Sequence, residues 1–168
     1  MTKPASRFII ARSTPEDVPV ILTLIKELAD YERLANQVIA TESDLTHALF
    51  SDRPDAEAVI GRYDGEPVGF ALFFQSFSTF LGRTGLYLED LYVRPTYRGR
   101  GFGHRFLSYL ARLAVKRRYG RFEWSVLDWN ELAIKSYRRA GAVPMDDWTV
   151  FRLTGDALEA LAREGDTS

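Results

Sequence analysis

Cysteine is missing from all 168 residues, so the chain has no disulfide, no thiol nucleophile and no thiolate metal ligand. Histidine is nearly as scarce: His47 and His104 stand far apart, without other ligand-spaced partners, and a metal site has no support. No apolar run is long enough for a membrane helix, and the patch Phe8–Ala11 within Met1–Arg12 is too short for a secretory signal. Neither charge is in excess. The balance of 22 basic against 23 acidic residues leaves a net charge of -1, unlike a protein whose task is to neutralise phosphate backbones. These absences predict a soluble cytoplasmic protein that meets neither membrane nor nucleic acid.

What is present suits one folded unit. At 46% hydrophobic and 27% charged, with no repeat, low-complexity tract or linker, residues 1–168 are expected to form a single domain. Phe8-Ile9-Ile10 reads as a first strand ending at Ser13-Thr14-Pro15. Thr14 is placed to cap a helix, with Pro15 in its first position and Asp17 reaching back. Val18, Ile21, Leu22, Ile25, Leu28 and Ala29 then recur at the spacing of one buried helix face. Thr41-Glu42-Ser43-Asp44 repeats the capping pattern before Leu45, Ala48 and Leu49, so the loop between the two helices carries Tyr31, Glu32 and Arg33.

Ala58–Tyr63 and Val68–Phe77, joined by Asp64-Gly65-Glu66-Pro67, have the pattern of a strand hairpin. Leu86–Val93 is a third apolar run, interrupted by Glu89-Asp90. Two carboxylates there are expensive to bury unless paired or functional, and on a regular strand they face opposite sides. Phe106, Leu107, Leu110, Leu113 and Ala114 mark a helix reaching about Arg118, where the basic run Lys116, Arg117, Arg118 and Arg121 reads as a solvated helix end. A strand over Arg121–Leu127, a helix over Glu131–Ala140 closed by Gly141, a last strand over Trp148–Leu153 and a helix capped by Thr154 complete a mixed α/β layer fold. Phe70, Phe73, Phe74, Phe77 and Phe80 divide among core, pocket and a subunit contact.

Arg98-Gly99-Arg100-Gly101-Phe102-Gly103 lies between a strand and a helix. Glycines let a backbone approach a phosphate closely, helix-start amides face the anion, and Arg98 and Arg100 add donors suited to phosphate oxygens. Counting from Gly99, His104 stands where the dinucleotide fingerprint needs its third glycine, and Gly103-His104-Arg105 is not the Gly-Lys-Ser/Thr of a nucleotide-triphosphate loop. A plain tight turn between strand and helix remains the competing reading.

Val93-Arg94-Pro95-Thr96-Tyr97-Arg98-Gly99-Arg100-Gly101-Phe102-Gly103 resembles the acetyl-CoA motif of the GNAT N-acetyltransferases, with Arg98, Gly99, Gly101 and Gly103 matching. Leu24–Glu32, Leu86–Asp90, Trp129-Asn130-Glu131 and Tyr137–Ala142 look like the diamine (spermidine/spermine) acetyltransferases and their thialysine-acetylating relatives, and the likeness runs in order along nearly the whole chain. The resemblance implies a GNAT-like mixed, partly splayed central sheet of about six or seven strands flanked by helices. It implies acetyl-CoA as cofactor, with backbone bonds from Leu91, Tyr92 and Val93 to the pantetheine and the pyrophosphate on Gly99 to His104. Asn130, Glu131, Leu132 and Ala133 would approach the far end of the cofactor, and Tyr137 the thioester sulfur. Glu89 matches the residue that deprotonates the amine through water, while Tyr31, Glu32, Asp90, Glu123, Trp124, Ser125, Asp146 and Trp148 fall where that family shapes its amine pocket. A homodimer is implied as well, and a contact of the basic run with the 3′-phosphate of the cofactor is compatible with it.

The chemistry needs such groups. An alkyl ammonium of pKa near 10.4 costs about 4.6 kcal/mol to deprotonate at pH 7, so a proton acceptor is required. A carboxylate beside it also stabilises the ammonium, so the acids recruit substrate as well as activate it. Tyr137 can hydrogen-bond the departing thiolate, although full proton transfer from a phenol is uphill by about 2 kcal/mol. Where the diamine enzymes tend to carry an acid and a tryptophan, this chain has Ser78 and Phe80. That weakens the case for a long polycation and makes a shorter amine, thialysine or a lysine-like amino acid comparably credible. The alternatives are a non-catalytic acyl-CoA sensor, or an enzyme acting on an amino sugar or a protein N-terminus.

Overall fold

The structure, a computed structural model, describes residues 8–165, so the part of the N-terminal reading that falls on residues 1–7 lies outside the described residues. The chain divides into two compact units, one ending at Asn130 and the other beginning at Glu131.

The first unit is built on one sheet of five strands: β1 (Phe8–Arg12), β2 (Glu57–Tyr63), β3 (Glu66–Ser78), β4 (Arg83–Val93) and β5 (Phe122–Trp124), in that spatial order. The first four are antiparallel neighbours and β5 runs parallel to β4. At the expected hairpin, Asp64 and Gly65 both have positive φ, 50° and 88°, the twist that a two-residue loop between strands requires. The mixed α/β class read from the sequence is therefore the observed one, with five strands among the described residues in place of six or seven.

Helices cover both faces. On one, α1 (Val18–Tyr31) and α2 (Glu42–Phe50) pack Val18, Ile21, Leu24, Leu28, Leu45 and Leu49 against Ala58, Ile60, Phe70 and Tyr92. The helical stripe expected on α1 is buried there. Leu24, which that stripe omitted, is fully buried as well. Both expected capping boxes form: Asp17 accepts from the Thr14 backbone N–H at 2.9 Å, and Thr41 and Asp44 exchange backbone-to-side-chain bonds at 2.8 and 3.2 Å. The Thr14 box opens a short 3-10 turn, Pro15–Asp17, that leads into α1.

On the opposite face lies α3 (Phe102–Lys116), with Phe106 and Leu110 buried. A side chain at Gly61 would come within 2.7 Å of Phe106 and Phe8, so the absence of a Cβ there lets α3 seat on the sheet. The basic run after α3 is not simply solvated: Arg117 donates to both carboxylate oxygens of Glu57 at 2.5 and 2.8 Å, and Arg121 pairs with Glu123 at 2.6 Å.

β4 is not a regular strand. Phe73 pairs with Leu88 but Leu72 pairs with Asp90, so Glu89 is an extra residue, a β-bulge. The bulge changes the face assignment expected for the two acids. Glu89 is exposed, and Asp90 shares a register position with Leu72, on the α1 side of the sheet. Pairing of β4 with β5 ends at Leu88 and Trp124, so the sheet splits at the bulge. Beyond it, Glu89–Val93 has no strand on that side among the described residues.

The second unit contains α4 (Glu131–Arg139) and α5 (Gly155–Glu164), and none of its described residues is buried. Gly141, at φ 90°, ends α4 as expected: its N–H bonds to Arg138 and that of Ala142 to Tyr137, closing a Schellman motif. Thr154 occupies the N-cap of α5, but its side chain makes no capping bond. The expected strand over Trp148–Leu153 is absent: the stretch is irregular, and Val150 and Phe151 are 83% and 93% exposed. β-propensity reports how well side chains fit a pleated neighbour, and the described residues of the second unit contain no strand to pair with this segment.

Candidate active site

Three carboxylates meet where β4 bulges. Asp90 is half-buried, and burial, followed by the charges of Glu89 and Glu32, pushes its carboxyl up to about 6. Glu32, in the cap that ends α1, is raised in its turn by burial. Among the described residues, none of the three has a cationic partner. The pair Glu89-Asp90 interrupts an apolar strand, and the structure places it at the fold's only break between β4 and β5 among those residues.

Aromatic side chains gather beside these acids. Tyr31, the last residue of α1 and not part of the loop expected there, lies 6.0 Å from Trp129, and the Arg33 guanidinium lies 5.7 Å from the same indole. The Arg98 guanidinium stacks 4.3 Å from Tyr31 and 5.6 Å from Tyr92, while its Nε donates to the Val93 carbonyl at 2.9 Å. Tyr31, Glu32, Glu89, Asp90, Leu91, Tyr92, Val93 and Arg98 therefore belong to one neighbourhood, where β4 passes the end of α1. Ser125 is held by the Tyr87 hydroxyl at 2.7 Å, just after β5. Within β5, Glu123 is engaged by Arg121, and Trp124 packs its ring on Phe122.

The glycine loop follows β4 directly. Gly99 and Gly101 have φ of 75° and 79°, values at which a side chain is strained, and Gly101 is the N-cap of α3. A Cβ added at Gly99, Gly101 or Gly103 would meet nothing within 4 Å, so the face of this loop is open. Successive backbone amides at the positive end of a fifteen-residue helix, left uncovered, fit a phosphate-bearing group. Arg100 lies over Tyr63 and Tyr97, 5.4 Å from each ring centre, Phe102 is buried against Phe8, and His104 is exposed on the first turn.

Asn130 donates its backbone N–H to Leu127 at the end of the first unit. Glu131, Leu132, Ala133 and Tyr137 lie on α4 of the second unit, with Tyr137 half-buried; Asp146 and Trp148 follow in irregular chain, and Trp148 is 74% exposed.

Two groups of residues escaped the sequence reading. Arg94 forks onto Glu27 of α1 at 3.0 and 2.8 Å and donates to the Pro67 carbonyl at 2.9 Å, tying α1 to the end of β4 where the acids stand. The sequence separation of 67 between Arg94 and Glu27 leaves no local signal of that pair. Arg33 and Trp129 are visible in the sequence but are brought together only by the fold. A cavity of about 700 Å³ lies elsewhere, lined by Arg12, Glu57, Phe74, Arg117 and Tyr119 among others, and Glu57 there is paired with both Arg12 and Arg117.

Comparison with known proteins agrees with this geometry. The acetyltransferase (GNAT) family matches residues 24–142. A thialysine N-epsilon-acetyltransferase of Bos taurus is 36% identical over 92% of this chain and 98% of its own length. An L-ornithine N5-acetyltransferase of Arabidopsis thaliana is 33% identical over 95% of this chain and 91% of its own. Among solved structures, an integron cassette protein from the mobile metagenome of V. cholerae superposes with a TM-score of 0.78 at 25% identity, covering 93% of this chain and 98% of that one.

Proposed function

The chain belongs to the acetyltransferase (GNAT) family, and we propose that it moves the acetyl group of acetyl-CoA to a primary amine of a small molecule by direct attack on the thioester. The observation that carries this reading is the unpaired trio Glu32, Glu89 and Asp90 at the bulge of the strand that runs into the open glycine loop. A cationic amine is the complement of three adjacent carboxylates without a counter-charge. The thialysine and ornithine specificities in the names of the two relatives point to the same class of substrate.

The residues divide the work. Asp90 and Glu32 draw in the ammonium, and Asp90, with its carboxyl near 6, is ionised at neutral pH. Glu89, exposed on the bulge, accepts the proton that the amine must lose and passes it to water. Coenzyme A, when bound, supplies the acetyl thioester. The residues that would hold it are the backbone of Leu91–Val93, the amides from Gly99 to His104 with Arg98 and Arg100, and the stretch Asn130–Ala133. Tyr137 would be the hydrogen-bond donor for the sulfur of the cofactor. Tyr31, Glu123, Trp124, Ser125, Asp146 and Trp148 shape the amine pocket. A short amine suits this chain better than spermine: Ser78 is buried with its Oγ accepting from the Leu81 N–H, Phe80 is 98% exposed, and neither adds a charge along the path. The reading takes residues 1–168 as one catalytic domain, active as a homodimer in the cytoplasm.

The test is acetyl-CoA-dependent thiol release across thialysine, ornithine, lysine, putrescine, spermidine, an amino sugar and a peptide N-terminus. Turnover is expected with the small ω-amines. Tight binding of acetyl-CoA without turnover on any amine would support a sensor instead.

A further inference from the structure

We propose that Arg33 binds the α-carboxylate of an amino-acid substrate, so that the site selects ω-amino acids over the corresponding plain diamines; this rests on the amine-acetylating reading above. Arg33 has φ 63°, a backbone conformation that favours glycine, because it closes α1 in a Schellman motif: its N–H bonds to Asp30 and that of Leu34 to Ala29. A glycine would serve that turn with less strain. Arg118 closes α3 in the same way at φ 58°, so the helix end alone does not account for what the Arg33 side chain does. The difference lies in the surroundings. Arg33 forms no ion pair among the described residues and lies over the half-exposed indole of Trp129, whose other neighbour is Tyr31.

A guanidinium laid on an aromatic face keeps its in-plane N–H donors directed outward, the arrangement that receives a carboxylate with two parallel bonds. Beside it the chain supplies the opposite charge. Glu32, the preceding residue, adds its negative charge to that of Asp90. The end of α1 thus presents an anion site and a cation site as consecutive residues, each without an ion-pair partner among the described residues. A molecule with an ammonium at one end and a carboxylate at the other satisfies both. A plain diamine satisfies only the acids and brings a second positive charge towards Arg33.

Arg33→Gly tests this without endangering the fold, since glycine suits the backbone at that position. Calorimetric binding of ornithine and putrescine, with steady-state acetylation of ornithine, lysine, putrescine and cadaverine, is compared between the parent protein and the variant. The expected result is a rise of about tenfold in the Kd and KM of ornithine and lysine, the scale of a lost charge-assisted bond, with kcat and the diamine constants moving less than twofold. Arg33→Lys should recover part of the loss. An equal change for both classes, no change for either, or no binding of ornithine to the parent protein overturns the proposal. Binding that depends on Arg33 with no acetylation of any amine upholds the carboxylate site and overturns the transferase reading instead.

Discussion

Glu57 and Asp90 flank the same strand, opposite Phe73 and Leu72 of β3, yet their surroundings push them in opposite directions. Glu57 lies at the end of β2 near the last turn of α3, where Arg117 grips both its oxygens and Arg12 adds a further bond. The Arg117 hydrogen bonds, outweighing burial, hold its carboxyl below the usual range. Among the described residues Asp90 has no such partner, and burial with two neighbouring acids raises it to about 6. The first arrangement is complete in itself and holds β1, β2 and α3 together. The second needs a cation from outside, which marks it as a binding site rather than a brace.

Breaking the acid site should cost activity without costing stability. Glu89→Gln, on the exposed bulge, is expected to lower kcat about a hundredfold, as loss of a positioned proton acceptor does, with an unchanged urea midpoint. Asp90→Asn should raise the amine KM and stabilise the protein by about 3 kcal/mol above pH 6. The sign follows from the raised carboxyl. The folded state holds the Asp90 proton more tightly than the unfolded chain, so stability is lost as pH rises from about 4 to about 6, and the gain of the Asn variant disappears below pH 4. Urea titrations at pH 4 and pH 7.5 check this.

The opposite outcome is expected at the other carboxylate. Glu57→Ala leaves Arg117 without its acceptor and should destabilise by about 2 kcal/mol at pH 7, with thiol release per folded molecule unchanged. Because Glu57 is held low, its contribution is present above its unfolded value near 4.5 and is lost as pH falls through the lowered folded value. The smallest effect belongs to Arg118→Gly, which relieves the left-handed backbone at the end of α3 and should stabilise by roughly 1 kcal/mol with no change in amine selectivity, in contrast to Arg33→Gly.

Local signals in the sequence carried much of this. The Thr14 and Thr41 capping boxes, the Asp64-Gly65 turn and the α1 and α3 stripes depend on neighbours within a few residues, and the structure has them where the sequence puts them. Glu89-Asp90 stands out because two charges inside an apolar run have no structural excuse. The bulge was not legible: it arises from the register of β4 against β3, and it moves Asp90 to the α1 side. The Arg94–Glu27 pair and the meeting of Arg33 with Trp129 depend on packing across the fold, beyond any local spacing. Trp148–Leu153 has the composition of a strand, but a strand also needs a partner, which composition does not supply.

The most direct measurement is acetyl-CoA-dependent thiol release with ornithine at pH 7.5 by the Glu89→Gln/Asp90→Asn double variant beside the parent protein, with urea unfolding of both. The account predicts a fall in kcat/KM of a hundredfold or more, in a protein at least as stable as its parent. Activity within twofold of the parent in a fully folded double variant would contradict it.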